Sequence, residues 1–212
     1  APIQAVPPPS RRARVARRVE TGRSHRHAQP MARNRHVALL RGINVGGSNL
    51  IKMADLRASF EAMGFADVVT LIQSGNVVFS SKPTTKAKLV ANIEAALAAR
   101  FAVALRVVVV SAAELAVIVD EAPTGFGGRP GEYRYDVLFL KDPLTPQSAL
   151  AQVTAKPGVD TVDAGRYVLY FRRLIAKATQ SQLSRIVQKP VYQSLTIRNW
   201  NTTTKLAKLV QD

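Results

Sequence analysis

An arginine, several amide side chains and a glycine pair lie in two short stretches of this sequence. They are Arg41, Asn44, Gly46 and Gly47 in the first stretch, and Gln73, Ser74 and Asn76 in the second. Arginine and free backbone N–H groups bind phosphates and carboxylates, and amides add further hydrogen bonds. The residue types therefore favour a site for an anion or for the edge of a nucleotide.

The glycine spacing of the first stretch imitates a P-loop without its lysine. Gly42 and Gly47 have the required separation, but Ser48 and Asn49 stand where Lys and Ser or Thr are needed. This excludes a P-loop NTPase. Glycines are also what a tight turn with positive φ requires, so a structural role for the pair stays open.

A third group of residues, from Arg198 to Thr202, lies between the last predicted strand and the last predicted helix. Asn201 or Thr202 is expected to cap that helix, and Trp200 is expected to pack against it. Capping explains Arg198 and Asn199 poorly. These two residues join the candidate ligand-binding residues.

Several kinds of chemistry are excluded or left without support by composition. The chain has no cysteine, which excludes disulfides, cysteine-ligated metals and a cysteine nucleophile. Two of the three histidines, His25 and His27, lie near the N-terminus, so a histidine-rich metal site or a Ser–His–Asp triad is not supported. We predict no metal and no cofactor, and the sequence indicates no catalytic residue or reaction.

Half of the formal net charge of +16 lies in the first 35 residues. Residues 1–35 hold nine arginines and one acid, a net charge of +8, and the rest of the chain contributes another +8. With three consecutive prolines and few large apolar residues, 1–35 is predicted to be a disordered basic extension. Met31 precedes the first predicted strand. Three alternatives therefore stay open for the extension: sequence upstream of the natural start, an arm that binds phosphates, or a solvated tail.

Apolar periodicity predicts two halves with the same order of elements. The first has strands at 36–41, 68–73, 76–80 and 104–110, with helices at 53–63 and 86–100. A helix capped by Ser111 and Glu114 and a glycine-rich linker at 124–131 follow. The second has strands at 133–140, 159–162, 166–171 and 192–197, a short helix from Pro146, a helix capped by Thr179 and Gln182, and a C-terminal helix.

The two βαββαβ orders predict an α+β protein of two tandem ferredoxin-like units, 36–121 and 122–212, with a C-terminal helix. In such a sheet, with strand order 4-1-3-2, the loop after the first strand and the turn between the second and third strands emerge at one edge. The first two stretches therefore converge with the N-terminus of the first helix. We expect Arg41 to reach solvent there.

Four runs of sequence together resemble a bacterial family known as domain of unknown function 1697. They are ALLRGINVGG at 38–47, MADLR at 53–57, IQSGNVVF at 72–79 and RNWNT at 198–202. The similarity extends over 36–212 and leaves out 1–35. It implies two ferredoxin-like halves and no particular activity. Many members carry Gly-Arg-Ser-Lys-Leu where this chain has 176–179, so no role of that segment is transferred.

The leading hypothesis is a cytoplasmic binding protein whose partner is an anionic small molecule or a nucleic acid, held through phosphate. One alternative is an enzyme for small phosphorylated or carboxylated substrates, with Arg41 and Arg198 as clamps. Another is an interaction module without a ligand. No apolar run is long enough to span a membrane, so no membrane partner is predicted. The sequence does not indicate an oligomeric state.

Overall fold

A computed structural model describes residues 34–44 and 50–211. Most of the predicted disordered extension, residues 1–33, lies outside them, but its last two residues, Asn34 and Arg35, begin the first strand, so the predicted boundary at 35 is wrong. The first half contains β1 (Asn34–Arg41), α1 (Met53–Ala62), β2 (Ala66–Leu71), β3 (Asn76–Ser81), α2 (Lys86–Phe101), β4 (Arg106–Ser111) and α3 (Ala112–Asp120). The second contains β5 (Tyr133–Leu140), α4 (Pro146–Leu150), β6 (Asp160–Ala164), β7 (Val168–Leu174), β8 (Leu195–Asn199) and α5 (Trp200–Leu209). Three 3-10 helices, Ile175–Gln180, Leu183–Gln188 and Pro190–Ser194, lie between β7 and β8.

The strands form two four-stranded antiparallel sheets in a mixed α/β architecture. The first sheet has the order β2-β3-β1-β4, which is the predicted order, and the second has the equivalent order β6-β7-β5-β8. In each sheet the central strands are the first and third of their half. The loop after β1 and the β2–β3 turn accordingly come to the same edge.

Three apolar clusters cover the faces of the two sheets. One face of the first sheet is covered by α1 and α2, through residues such as Phe60 and Ile93. Its other face shares a cluster with α3, α5 and the second sheet, where Leu39 and Val137 are members. The far face of the second sheet packs against α4 and the 3-10 helices. The two halves therefore share a core.

Local sequence signals predict several helix ends correctly. Ser111 and Glu114 form the expected capping box at the start of α3. Pro146 opens α4. Gly64 follows α1 with a φ of 82°, in the left-handed region that a glycine after a helix commonly adopts.

The predicted helix capped by Thr179 and Gln182 is wrong. The segment instead forms the 3-10 helices, and Gln182 makes no side-chain cap. The carboxylate of Asp160, from β6, accepts a hydrogen bond of 2.8 Å from the Gln182 N–H and so directs this backbone toward the sheet. Pro190 then prevents a continuous helix from reaching β8.

The predicted linker at 124–131 contains turns and is anchored by one aromatic side chain. The Phe126 ring lies 4.9 Å from that of Tyr135, 5.3 Å from that of Tyr170 and 5.2 Å from that of Trp200. Trp200 thus has the packing role that the sequence indicates. The crossing between the halves is attached to the shared core.

Burial of His36 makes the stability of the fold depend on pH in the acidic range. Its ring is only 9% exposed and stacks on Phe79. Burial lowers its pKa below the ordinary value of 6.5, with the Glu114 carboxylate opposing this effect and Lys86 adding to it. Below pH 6.5 the unfolded chain therefore binds a proton that the folded chain does not, so stability decreases as the pH falls.

Between pH 7.5 and pH 5, we expect the free energy of unfolding of the His36→Gln variant to decrease less than that of the unmodified chain. Urea unfolding followed by circular dichroism at each pH measures this difference. The NMR titration of the His36 ring in the folded chain provides the direct check. A midpoint at or above the ordinary histidine value would contradict this prediction.

Candidate functional site

The predicted site residues fall on three structural features. Arg41 ends β1 and Asn44 follows it; Gln73 and Ser74 form the β2–β3 turn before Asn76; Arg198 and Asn199 end β8. Gly46 and Gly47 lie outside the described residues. The structure brings most of the others together at one edge of the first sheet.

The side chain of Asn44 hydrogen-bonds the loop after β1 to the β2–β3 turn. Its amide nitrogen donates to the carbonyl oxygens of Ile51 and Gln73, each at 2.9 Å. Its amide oxygen accepts from the Ile51 N–H at 2.8 Å. Asn44 has a φ of 54°, a backbone conformation that asparagine tolerates better than most residues. Its side chain therefore joins the end of the β1 strand region to Ile51, just before α1.

Asn76 and Arg198 form a buried polar connection between the sheets. Asn76 is fully buried and donates to Leu71 O and Ser74 Oγ, each at 3.0 Å. Its amide oxygen accepts from Arg198 Nε. Arg198, only 8% exposed, also donates to Leu40 O at 2.7 Å and Ser74 O at 3.0 Å. Internal hydrogen bonds therefore account for the polar groups of both residues.

Further hydrogen bonds of the Arg198 guanidinium are made to acceptors on its own strand, β8. Nη1 donates to Thr196 Oγ1 at 2.9 Å and to Ile197 O at 2.8 Å. Burial lowers the pKa of Arg198 to about 10, so the group stays charged at neutral pH. Its measured contacts are with neutral oxygens, and no carboxylate among the described residues forms an ion pair with it.

The N-cap of α5 differs from the prediction. Asn199 is the N-cap, and its side chain accepts from the Thr202 N–H at 2.8 Å. The expected cap at Asn201 or Thr202 is therefore wrong, because the helix begins earlier, at Trp200. This hydrogen bond uses the amide oxygen of Asn199, and helix capping therefore explains why an asparagine is present at this position.

Arg41 extends from the first sheet to the second half of the chain. It is half-buried, donates to Tyr192 O and, at 2.8 Å, to Gln193 Oε1, and lies 4.7 Å from the Tyr192 ring centroid. The expectation that Arg41 extends into solvent is thus corrected, because its head rests on the last 3-10 helix. The Gln193 contact is exposed, which keeps part of the guanidinium at the surface.

Arg106 is a second arginine at this edge, and the sequence analysis missed it. It is exposed and lies directly opposite Arg41 in the β1–β4 register. Directly opposed residues point to the same face, with Cα atoms about 5.5 Å apart in a hydrogen-bonded pair. The predicted strand order placed these two strands side by side, but the sequence predicted no register, and the structure alone sets the two arginines opposite each other.

The charge of this arginine pair is not neutralised by an ion pair in the described part of the chain. None of its six measured ion pairs includes Arg41, Arg106 or Lys52, which is exposed just before α1. Like charges directly opposite one another on neighbouring strands are destabilising. An anion placed between the guanidinium groups would remove this repulsion.

Two exposed aliphatic side chains flank the same edge. Leu50 is 77% exposed, immediately after the 45–49 segment, and Ile72 is 54% exposed in the β2–β3 turn. Ile72 also has a φ of 50°, which is costly for a β-branched residue. Strained residues are concentrated at functional sites, so this backbone supports a role for the edge in binding.

Other classes of site gain no support from the geometry. In 34–44 and 50–211 no group of three His, Cys, Asp or Glu side chains could hold a metal ion. The helices of the same ranges include none with the length and apolarity needed to cross a membrane.

Comparisons with known proteins give a family and a structural relative. A search of curated proteins finds no match. A solved structure of a conserved bacterial protein from Streptococcus pneumoniae is similar with a TM-score of 0.76 at 25% sequence identity, covering 85% of this chain and 100% of that one. The model of a family described as "Protein of unknown function (DUF1697)" matches residues 33–170. With about two thirds of its length matched, from β1 into β7, the chain belongs to the DUF1697 family.

Proposed function

We propose that the protein binds an anionic ligand, a nucleotide or a nucleic-acid phosphate, at the edge where β1 ends. The observation that carries the proposal is the pairing of Arg41 with Arg106, two arginines at directly opposed strand positions without a carboxylate partner in the described residues. Guanidinium groups form charge-assisted, often bidentate hydrogen bonds with phosphate. A phosphate between them offers the charge that the protein itself does not supply there.

The surroundings of the arginine pair support a phosphate ligand. Lys52 is the N-cap of α1 and makes no side-chain cap hydrogen bond, so its side chain leaves the first-turn N–H groups of this helix to other acceptors. Asn44 holds Ile51, two residues before α1, against the β2–β3 turn. The helix start, with its partial positive charge, therefore lies beside the loop that follows Arg41.

The residues of the edge divide into two groups in this proposal. Arg41 and Arg106 contact the ligand, with Gln73 and the backbone around Gly46 and Gly47 as further donors. Positioning is the role of the residues with internal hydrogen bonds, namely Asn44, Ser74, Asn76, Arg198 and Asn199.

We expect Arg106→Ala to weaken binding at least tenfold, because it removes a charge-assisted contact worth roughly 1.5–3 kcal/mol. Arg106 is exposed and forms no ion pair with the residues that the structure describes, so the melting temperature should change by less than about 2 °C. Arg41→Ala should weaken binding as much, with some loss of stability from its Tyr192 and Gln193 contacts. Fluorescence anisotropy with a labelled oligonucleotide and calorimetry with ATP measure the affinity.

Arg57→Ala is the matched control, since Arg57 is exposed on α1 and paired with Glu61. It removes the same charge away from the arginine pair and should leave affinity within about twofold. Affinity for the oligonucleotide that falls steeply from roughly 50 to 200 mM salt identifies nucleic acid. Saturable thermal stabilisation by ATP alone identifies a small ligand. Equal effects of Arg57→Ala and Arg106→Ala, or no binding of either probe, would overturn the proposal.

We also propose that 36–121 and 122–212 are tandem ferredoxin-like units that share one core. The equivalent strand orders of the two sheets support this description. The second unit departs from the pattern where 3-10 helices replace its second α-helix. A cytoplasmic location is part of the same proposal, because nucleotides and nucleic acids are found there.

A further inference from the structure

A cavity of about 270 Å³ lies in the second half of the chain, where β5 and α5 begin. Its lining includes three aromatic residues and three polar ones: Tyr133, Tyr135 and Trp200, with Arg134, Asp136 and Asn201. Neither Arg41 nor Arg106 contributes to it. Pockets for drug-sized molecules have volumes of about 300–1,000 Å³, so this cavity is suited to a smaller group, such as a pair of fused rings.

One buried acceptor in the lining lacks a hydrogen-bond donor. Asp136 is only 9% exposed, and its Oδ2 atom has no hydrogen-bond partner in the part of the chain that the structure describes. Arg173 Nη2 lies 3.6 Å from Oδ2, which allows charge attraction but is too far for a hydrogen bond. Burial raises the pKa of this carboxyl group, and the charges of Arg173 and Arg134 oppose the effect. Asp136 therefore has neighbouring positive charge and lacks N–H or O–H donors.

The chemistry of Asp136 defines the ligand group that would satisfy it. An unpartnered buried acceptor costs free energy until water or a ligand supplies a donor. Rotation about the last bond of an aspartate side chain is soft, so either oxygen can turn toward a donor in the cavity. Arg134 and Arg173 already supply positive charge, which disfavours a cationic ligand. Two adjacent, neutral N–H donors match the carboxylate best.

The aromatic part of the lining is held in place by packing. The Phe126 ring, which lies outside the cavity lining, is 4.9 Å from the Tyr135 ring and 5.2 Å from the Trp200 ring. A Cβ atom at Gly127 would collide with the Trp200 indole, so glycine is what allows the indole its position. Rings fixed in this way offer surfaces on which a flat heteroaromatic ligand can stack.

We propose that this cavity binds a guanine base. Guanine presents its N1–H and its 2-amino group side by side, two neutral donors for the Asp136 carboxylate. The other bases place an acceptor beside their Watson–Crick donor, and a carboxylate has no hydrogen with which to satisfy that acceptor. Asn201 is exposed at the cavity and can donate to the guanine O6 atom. Arg134, also exposed there, can bind a phosphate of the same nucleotide.

The test follows the fluorescence of Trp200, the only tryptophan of the chain and a member of the lining. The full chain is titrated with GMP, with AMP, and with IMP, which lacks only the 2-amino group. We expect a saturable change with GMP, binding of AMP that is at least tenfold weaker, and an intermediate affinity for IMP. A site built around a pair of hydrogen bonds discriminates against analogues that cannot form them.

Asp136→Asn removes the carboxylate at nearly constant shape. It should weaken GMP binding at least tenfold and abolish the preference for GMP over AMP. Asp163→Asn is the matched control, because Asp163 is an exposed carboxylate on β6 outside the lining, and it should leave GMP affinity within about twofold. Arg134→Ala should weaken the binding of GMP and leave that of guanosine, which has no phosphate, unchanged.

The trinucleotides UGU and UAU distinguish an unpaired guanine of an RNA strand from a free nucleotide. Tighter binding of UGU than of GMP identifies the strand, and weaker binding identifies the mononucleotide.

Equal affinities for GMP and AMP, no fluorescence change, or equal losses in Asp136→Asn and Asp163→Asn would overturn the proposal. If Asp136→Asn does not fold, the comparison of GMP, AMP and IMP on the unmodified chain still decides. Arg106→Ala should leave the Trp200 signal unchanged, so failure of the anion site would not alter these results.

Discussion

Replacement of Arg198 by methionine is expected to lower the free energy of unfolding by about 3–5 kcal/mol, because several buried neutral acceptors lose their donor at a cost of about 1–3 kcal/mol each. Methionine retains an apolar stem of similar length and removes every hydrogen bond of the guanidinium. Urea unfolding followed by circular dichroism measures the change. The size of the effect distinguishes a structural connection between the sheets from a ligand clamp, the role assigned to Arg198 in the enzyme hypothesis.

The large loss of stability is expected because the guanidinium donors of Arg198 are engaged in hydrogen bonds. A guanidinium has five N–H donors. Those of Arg198 reach oxygen atoms of Asn76, Thr196, Ile197, Leu40 and Ser74. Removing the donors leaves acceptors buried between the sheets without partners, and each unsatisfied group costs about 1–3 kcal/mol. Relaxation of the β2–β3 turn would recover part of this loss.

Arg57→Met is the control, because it removes an arginine that takes no part in the buried hydrogen bonds between the sheets. Arg57 and Glu61 are both largely exposed, and an exposed i,i+4 ion pair contributes about 0.3–0.5 kcal/mol. A loss below about 1 kcal/mol for Arg198→Met would contradict the structural role. Arg198→Lys should remain clearly destabilising, because one ammonium group cannot reach acceptors on both sheets.

Most strands and several helix starts could be predicted because they depend on local patterns. The capping box of Ser111 and Glu114 is complete within four residues, and the continuous apolar run in 36–41 identifies the buried strand β1. The helix predicted after Thr179 failed because its decisive contact is remote. The Asp160 carboxylate, 22 residues away, accepts the Gln182 N–H, and no local pattern reveals that bond.

Residue types in the candidate site could be predicted more reliably than residue roles. Arg198 and Asn76 are 122 positions apart in the sequence, so their hydrogen bond emerges only when the two sheets are packed together. The same packing places Arg41 on Tyr192. Arg106 was missed because a lone charge at the start of a strand is common, and it acquires meaning only from its register with Arg41.

Gly75→Ala is expected to destabilise the protein by about 2–6 kcal/mol through two separate effects. Gly75 has a φ of 74°, where a residue with a Cβ atom is strained by about 1–3 kcal/mol. A Cβ atom there would also lie 2.8 Å from Leu40 Cβ and 2.8 Å from Ile43 Cδ1, and such crowding in a core costs about 1–3 kcal/mol more. Leu40 is held in β1 and cannot move aside freely.

Gly64→Ala separates strain from crowding at Gly75. Gly64 has a similar φ of 82°, but nothing lies within 4 Å of the added Cβ, so this variant reports strain alone, about 1 kcal/mol at an exposed helix end. The excess loss in Gly75→Ala then measures the close approach of the β2–β3 turn to β1. Because the carbonyl oxygens of Ser74 and Gly75 both face Arg198, displacement of this turn should also reduce the effect of Arg198→Met in the double variant. Equal losses for the two glycine variants, or strictly additive losses with Arg198→Met, would show that the turn and the buried arginine act independently.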